Sequence, residues 1–144
     1  MKKLAVFVVA AFFAQYAWQD LEVGERLGLS GLGSSSSALS TAFEQRQSNV
    51  QVQGQGEVFR TLSDDNDGSR HQRFILRLEN GQTLLIAHNI DLAPRIASIR
   101  PGDLVEFYGE YEWNSKGGVV HWTHHDPRGT HADGWLKHGG RTYK

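Results

Sequence analysis

Arg73-Phe74-Ile75-Leu76-Arg77-Leu78-Glu79-Asn80-Gly81-Gln82-Thr83-Leu84-Leu85-Ile86-Ala87 is the stretch on which the fold turns. In its first half Phe74, Leu76 and Leu78 alternate with Arg73, Arg77 and Glu79, the period of two that gives a strand one apolar face. Asn80-Gly81 follows, the strongest short hairpin signal, because both residues tolerate the positive φ of a tight turn. Thr83 to Ala87 is then the returning strand, and its nearly continuous apolar character predicts burial on both faces.

The same period extends outward from this hairpin. Upstream, Val50, Val52 and Val58 alternate with Gln51, Gln53 and Glu57, while Gly54 and Gly56 interrupt the strand as bulge or corner glycines do where a barrel bends. Ser63 to His71, SDDNDGSRH, reads as a polar turn. Downstream, Asn89 to Asp103 is too irregular for a strand and has room for one helical turn between Pro94 and Ile99. Leu104 to Trp113 is the fourth strand and Val119 to His125 the fifth, joined by Asn114-Ser115-Lys116-Gly117-Gly118. This order predicts an all-β fold, a five-stranded OB-fold-like Greek-key barrel with a short helix between strands three and four.

Ahead of the barrel, Lys2 and Lys3 precede an apolar run from Leu4 to Ala14, the pattern of a secretory signal and too short to span a bilayer comfortably. No clean cleavage site follows, since Phe12 and Gln15 stand two positions before Ala14 and Ala17. Residues 1–18 therefore read as a signal peptide or an uncleaved N-terminal anchor, the one route to a membrane, and the chain as exported, periplasmic or secreted. Residues 19–49 read as a Ser/Gly-rich linker, with SSSSALS as a flexible tether. At its end Ser40 or Thr41 would cap a short helix running through Arg46, packing Leu39 and Phe43 on the domain of residues 50–144.

Composition excludes several classes of function. The chain of 144 residues has 15 basic against 16 acidic side chains, or 13 against 16 without Lys2 and Lys3, so there is no strong basic patch for nucleic acid. It has no cysteine, which rules out disulfides, thiolate metal sites and cysteine nucleophiles. The charge is polarised: Trp113 to Lys144 holds five Lys or Arg against two Asp, Glu57 to Glu112 six against ten.

Three strings, Gly54 to Leu78 (GQGEVFRTLSDDNDGSRHQRFILRL), Gly81 to Ile96 (GQTLLIAHNIDLAPRI) and Gly109 to Trp135 (GEYEWNSKGGVVHWTHHDPRGTHADGW), resemble a bacterial family of exported proteins catalogued as domain of unknown function 3465. The resemblance covers almost all of Gln53 to Tyr143. It implies an exported barrel without an assigned reaction and transfers no catalytic residue.

Chemistry concentrates in histidine. Five of seven, His121, His124, His125, His131 and His138, fall in the last 24 residues, together with Asp126 and Asp133. On a regular fifth strand His124 and His125 would point to opposite faces, so a metal set would combine one of them with tail residues. His124, Asp126, His131 and Asp133 are the candidate ligands for a divalent metal such as zinc, although their spacing matches no named metal motif. Histidines at the surface or satisfied by backbone carbonyls are the commoner case. Asp64 to Gly68 looks like the start of a calcium loop, but alignment on Gly68 puts Ser63 at position one and Phe74 where a bidentate Glu is required. Ser69-Arg70-His71 would set a cation and an imidazole beside those carboxylates.

Two functional readings follow. In the first, the barrel binds a polar or anionic ligand, an oligonucleotide, oligosaccharide or small anion, at a rim formed by Arg70, His71, His88, Asn89, Trp122, His124 and His125. In the second it is a metal-dependent hydrolase of the phosphodiesterase or nuclease kind, with His71, His124 and Asp126 as catalytic candidates. Thermonucleases are similar in position at DDNDG and at Asp91-Leu92-Ala93-Pro94, but Gln82-Thr83 stand where their arginine is found and no glutamate follows Pro94 in that loop. Phe107, Tyr108, Tyr111, Trp113, Trp122, Trp135 and Tyr143 would give a stacking platform if one alternate set faced outward.

Overall fold

The computed structural model describes residues 33–144, so the leader at 1–18 and the first part of the linker lie outside the described residues. Helix α1 (Gly33–Glu44) leads into seven strands: β1 (Val50–Thr61), β2 (His71–Arg77), β3 (Thr83–Asn89), β4 (Leu104–Glu112), β5 (Val119–His121), β6 (Trp135–His138) and β7 (Arg141–Tyr143). The first five close on themselves. β1 pairs antiparallel with β4 through Val50–Glu57 and with β2 through Glu57–Thr61, β2 with β3, β3 in parallel with β5, and β5 with β4. This closed circuit is the OB-type barrel. β6 and β7 form a hairpin that docks on β4 beside β5, with Tyr108 opposite Trp135 and Glu106 opposite Lys137.

Alternation fills the barrel. Phe74 and Leu76 from β2, Leu84 and Ile86 from β3, Val105, Phe107 and Tyr111 from β4 and Val120 from β5 are fully buried. At about 25 cal/mol per Å² of apolar surface, each such side chain contributes about 1.5–3 kcal/mol before entropy is counted. The 79–81 turn is a three-residue hairpin loop: Leu78 and Gln82 are bonded across it, and Gly81 takes a φ of 85°.

Several sequence expectations need correction. β3 alternates rather than being buried on both faces, since Thr83, Leu85 and Ala87 are only half-buried. The helix expected between Pro94 and Ile99 is a series of turns. Gln72, buried at the start of β2, donates its side-chain amide to the Ile96 carbonyl and accepts from the Ile96 N–H, taking the backbone groups a helix would need. The serine run belongs to α1, with Ser40 and Thr41 inside the helix rather than at its cap. Burial of Leu39 and Ala42 against the barrel outweighs the weak helix propensity of serine. The helix stops in a Schellman arrangement: Gln47 N–H donates to the Ala42 carbonyl, Arg46 N–H to that of Phe43, and Arg46 takes a φ of 53°. The histidine-rich tail contains β6 and β7, and it delivers Leu136 and Tyr143 to the core.

The register irregularity in β1 lies between Val58 and Arg60, not at the two glycines. Gly56 has a different role. It faces inward just before Glu57, the residue paired to both β4 and β2, and a Cβ there would lie 2.9 Å from the Arg77 carbonyl oxygen. That neighbour is backbone and cannot step aside. Gly56→Val should therefore lower stability by about 1–3 kcal/mol, read as a shift of the denaturant midpoint; an unchanged midpoint would show that β1 and β2 have room at this corner.

Candidate functional site

The predicted rim is largely committed to its own structure. His88 is wholly buried on the inner face of β3. Its Nε2–H donates to the Pro94 carbonyl at 3.0 Å, and its Nδ1 accepts from the Thr123 hydroxyl at 2.7 Å. Both nitrogens are satisfied in the neutral ring. His71 pairs in register with Asn89, one position along from Gln72–His88, so the two histidines share one end of the barrel while His88 points inward. The His71 Nδ1–H donates to the Ser69 carbonyl. Arg70 is held by Asp91, which accepts its Nε–H and its backbone N–H at 2.8 Å each, and the Asn89 side chain accepts from the Asp91 N–H. The acidic turn is an Asx turn, Asp65 accepting from Asp67 N–H, with Asp64 paired to Arg95 and Gly68 at a φ of 74°.

The four metal candidates do not converge. Asp126 is buried and organises its own loop, accepting the backbone N–H groups of Arg128, Thr130 and His131 and the Thr130 hydroxyl. The Arg128 N–H foremost, followed by those of His131 and Thr130, holds its carboxyl down at about 2 against the opposing desolvation. Asp133 accepts the Asp126 N–H at 2.8 Å and pairs with His125 Nδ1 at 2.9 Å. His124 is buried and its Nδ1–H donates to the His125 carbonyl. His131 turns elsewhere, toward Glu110.

What gathers instead is the outer face of β4. Val105, Phe107, Gly109 and Tyr111 face the core, so Glu106, Tyr108, Glu110 and Glu112 face outward in a row. Partway along this row the neighbouring strand changes from β5, opposite Glu110–Glu112, to β6, opposite Glu106–Tyr108. Gly109 sits at the change: a Cβ there would lie 2.5 Å from the His121 carbonyl oxygen, so only glycine lets the chain leave β5 this close to β4. The fifth strand consequently ends at His121, four residues short of the predicted His125, and Trp122 takes a φ of 57°, a left-handed conformation rare for a bulky residue. This turn lays the Trp122 indole on the His131 ring, centroids 4.0 Å apart and planes within 8°. His124 is tilted against the same indole at 5.5 Å.

The result is a strip of two parts. At one end Tyr108 and Trp135 form a tilted pair with centroids 6.0 Å apart, with Lys137 Nζ 4.4 Å above the indole and the outward Gln53 and Gln55 of β1 alongside. At the other end His121 Nε2 lies 3.3 Å from both Glu110 Oε2 and Glu112 Oε1, and His131 Nε2 lies 3.3 Å from Glu110 Oε1. Although desolvation acts to lower it, the His131 pKa is raised, by the Ala132 carbonyl on Nδ1 and by the Glu110 carboxylate. Of the predicted aromatic set, Phe107, Tyr111 and Tyr143 are core, while Tyr108, Trp113, Trp122 and Trp135 are half-buried. Sequence reasoning missed Glu110, Glu112 and the use of His121. Their signal was present, carboxylates two apart on one strand, but the partner emerges only from the pairing of β4 with β5.

Fold and face together define a small OB-type barrel carrying an aromatic and imidazole–carboxylate strip outside its fourth strand. The chain belongs to the family described as protein of unknown function DUF3465, whose model matches residues 23–144. No curated protein matches it. Among the described residues no helix is long and apolar enough to cross a membrane.

The buried His88 generates a pH effect. Burial lowers its pKa from 6.5 to about 4, so between these values the unfolded chain takes up a proton that the native state excludes, and stability falls as pH drops through that window. The full effect is on the order of 3 kcal/mol. His88→Gln should flatten this slope, measured as denaturant midpoints at about pH 7 and about pH 4.5. Equal slopes in both proteins would show that His88 accepts its proton while folded.

Proposed function

We propose that this domain is an exported binding module whose ligand lies across the outer face of β4, and that the ligand is a neutral polar ring compound of the oligosaccharide class. One observation carries the reading: Tyr108 and Trp135 stand side by side on the outer surface, half-buried and held in place, next to a row of amides and carboxylates. An aromatic face takes the apolar C–H face of a sugar, while Gln53, Gln55 and Glu106 supply acceptors and donors for its hydroxyls. OB-type barrels are used for oligosaccharides as well as oligonucleotides. An anionic ligand is less well supported, because Arg70 and Arg95 pair with Asp91 and Asp64 and the strip itself carries three glutamates. Export rests on the apolar run that follows Lys2 and Lys3.

Tryptophan fluorescence and calorimetry with short cello-, chito- and xylo-oligosaccharides test the proposal. At least one of these glycans should bind, and Trp135→Ala should weaken that binding by about tenfold or more, equivalent to about 1.4 kcal/mol. Failure of all three glycans to bind, or equal binding by Trp135→Ala, would contradict it.

A further inference from the structure

We infer that Glu110, Glu112 and His121 form a binding site for a divalent transition metal, zinc by preference, with three protein ligands and an open fourth position. The site lies beside the aromatic pair and does not depend on the oligosaccharide reading. Its geometry follows from the sheet. Glu110 and Glu112 are two apart on β4 and share its outer face, and His121 is the register partner of Glu110 on β5. One ligand atom from each of the three residues falls within 4.8 Å of the others.

The distances fit a metal better than a hydrogen bond. His121 Nε2 is 3.3 Å from an oxygen of each glutamate, longer than the roughly 2.7–2.9 Å of a charge-assisted N–H···O bond. The edge of a tetrahedron is about 1.6 times its centre-to-corner distance, so ligands about 2.0–2.1 Å from a zinc ion stand about 3.3 Å apart. Both distances from the imidazole nitrogen match that edge, and the two carboxylate oxygens lie within 4.8 Å of each other.

A second observation is independent of the spacing. His121 Nε2 is shut off from solvent and makes no hydrogen bond, even though two carboxylates lie beside it. A ring nitrogen shut off from water without a hydrogen bond is costly, and a cation between it and the two carboxylates would relieve that cost.

The surrounding groups do what the outer groups of a metal site do. His131 donates Nδ1–H to the Ala132 carbonyl at 2.8 Å, its Nε2 stands 3.3 Å from the second oxygen of Glu110, and the Trp122 indole stacks on its ring. His131 is thus a positioning residue for Glu110. The ligand types, one imidazole and two carboxylates, suit zinc or manganese rather than soft copper(I), and a three-ligand set leaves zinc free to hold water or a substrate oxygen.

Calorimetric titration of the full chain, prepared without a histidine tag, with zinc chloride tests the site, with visible absorption of the cobalt(II) form as a second readout. The expected result is one equivalent of metal, with the intense bands of four-coordinate cobalt. His121→Gln and Glu110→Gln should each weaken binding at least tenfold, and His131→Gln by roughly tenfold through Glu110. His125→Gln and His71→Gln, which alter histidines outside the site, should bind as the parent does. Circular dichroism melting of each variant separates lost binding from lost folding. No binding below millimolar zinc, unchanged affinity in folded His121→Gln and Glu110→Gln, or loss confined to His125→Gln or His71→Gln would each overturn the proposal.

Discussion

The pairing of β4 on both of its edges is the constraint from which the rest of the molecule follows. One edge is taken by β1 from Leu104 to Tyr111, the other first by β6 and then by β5. With no free edge, β4 cannot slip. A slip of one residue would move Val105, Phe107 and Tyr111 to the surface and bring Glu106, Tyr108 and Glu110 into the core. The same hydrogen bonds that close the barrel therefore fix the outward row of carboxylates and Tyr108. Tyr111 adds a lock from inside, its hydroxyl donating to the Gly117 carbonyl at 2.8 Å and tying β4 to the turn before β5.

The histidine-rich tail divides its labour along this frame. Asp126 and Asp133 gather backbone N–H groups and shape the loop between β5 and β6. That loop then presents His131 to Glu110 beneath Trp122. The positive φ of Trp122 costs about 1–2 kcal/mol, and the stacked rings and the loop hydrogen bonds offset it. Strain of this kind next to an imidazole–carboxylate cluster is where binding chemistry is commonly built. His88, by contrast, has its two nitrogens satisfied within the barrel and acts in packing.

Much of the barrel was legible in the sequence because alternation and turn chemistry are local. The hairpin around Asn80-Gly81, the long β1 and the extent of β4 all follow from local pattern. What escaped depended on contacts between distant segments. The segment around Ile96 is held out of a helix by Gln72, 24 residues away, and the serine run is helical because Leu39 and Ala42 meet the barrel. The proposed site escaped for the same reason. His124 and Asp126 are prominent as a string, yet local hydrogen bonds absorb them, whereas Glu110 and His121 meet only through the β4–β5 register.

The central claim is that the reactive surface is the outer face of β4 and not the rim at His71. It is tested most directly by recording backbone and imidazole NMR spectra of the chain as zinc is added. The expected result is a set of shift changes centred on Glu110, Glu112 and His121, extending to His131 and Trp122, with the His71, Asn89 and His125 signals unmoved. Changes centred on His71, His124 and His125, with the β4 signals undisturbed, would contradict it.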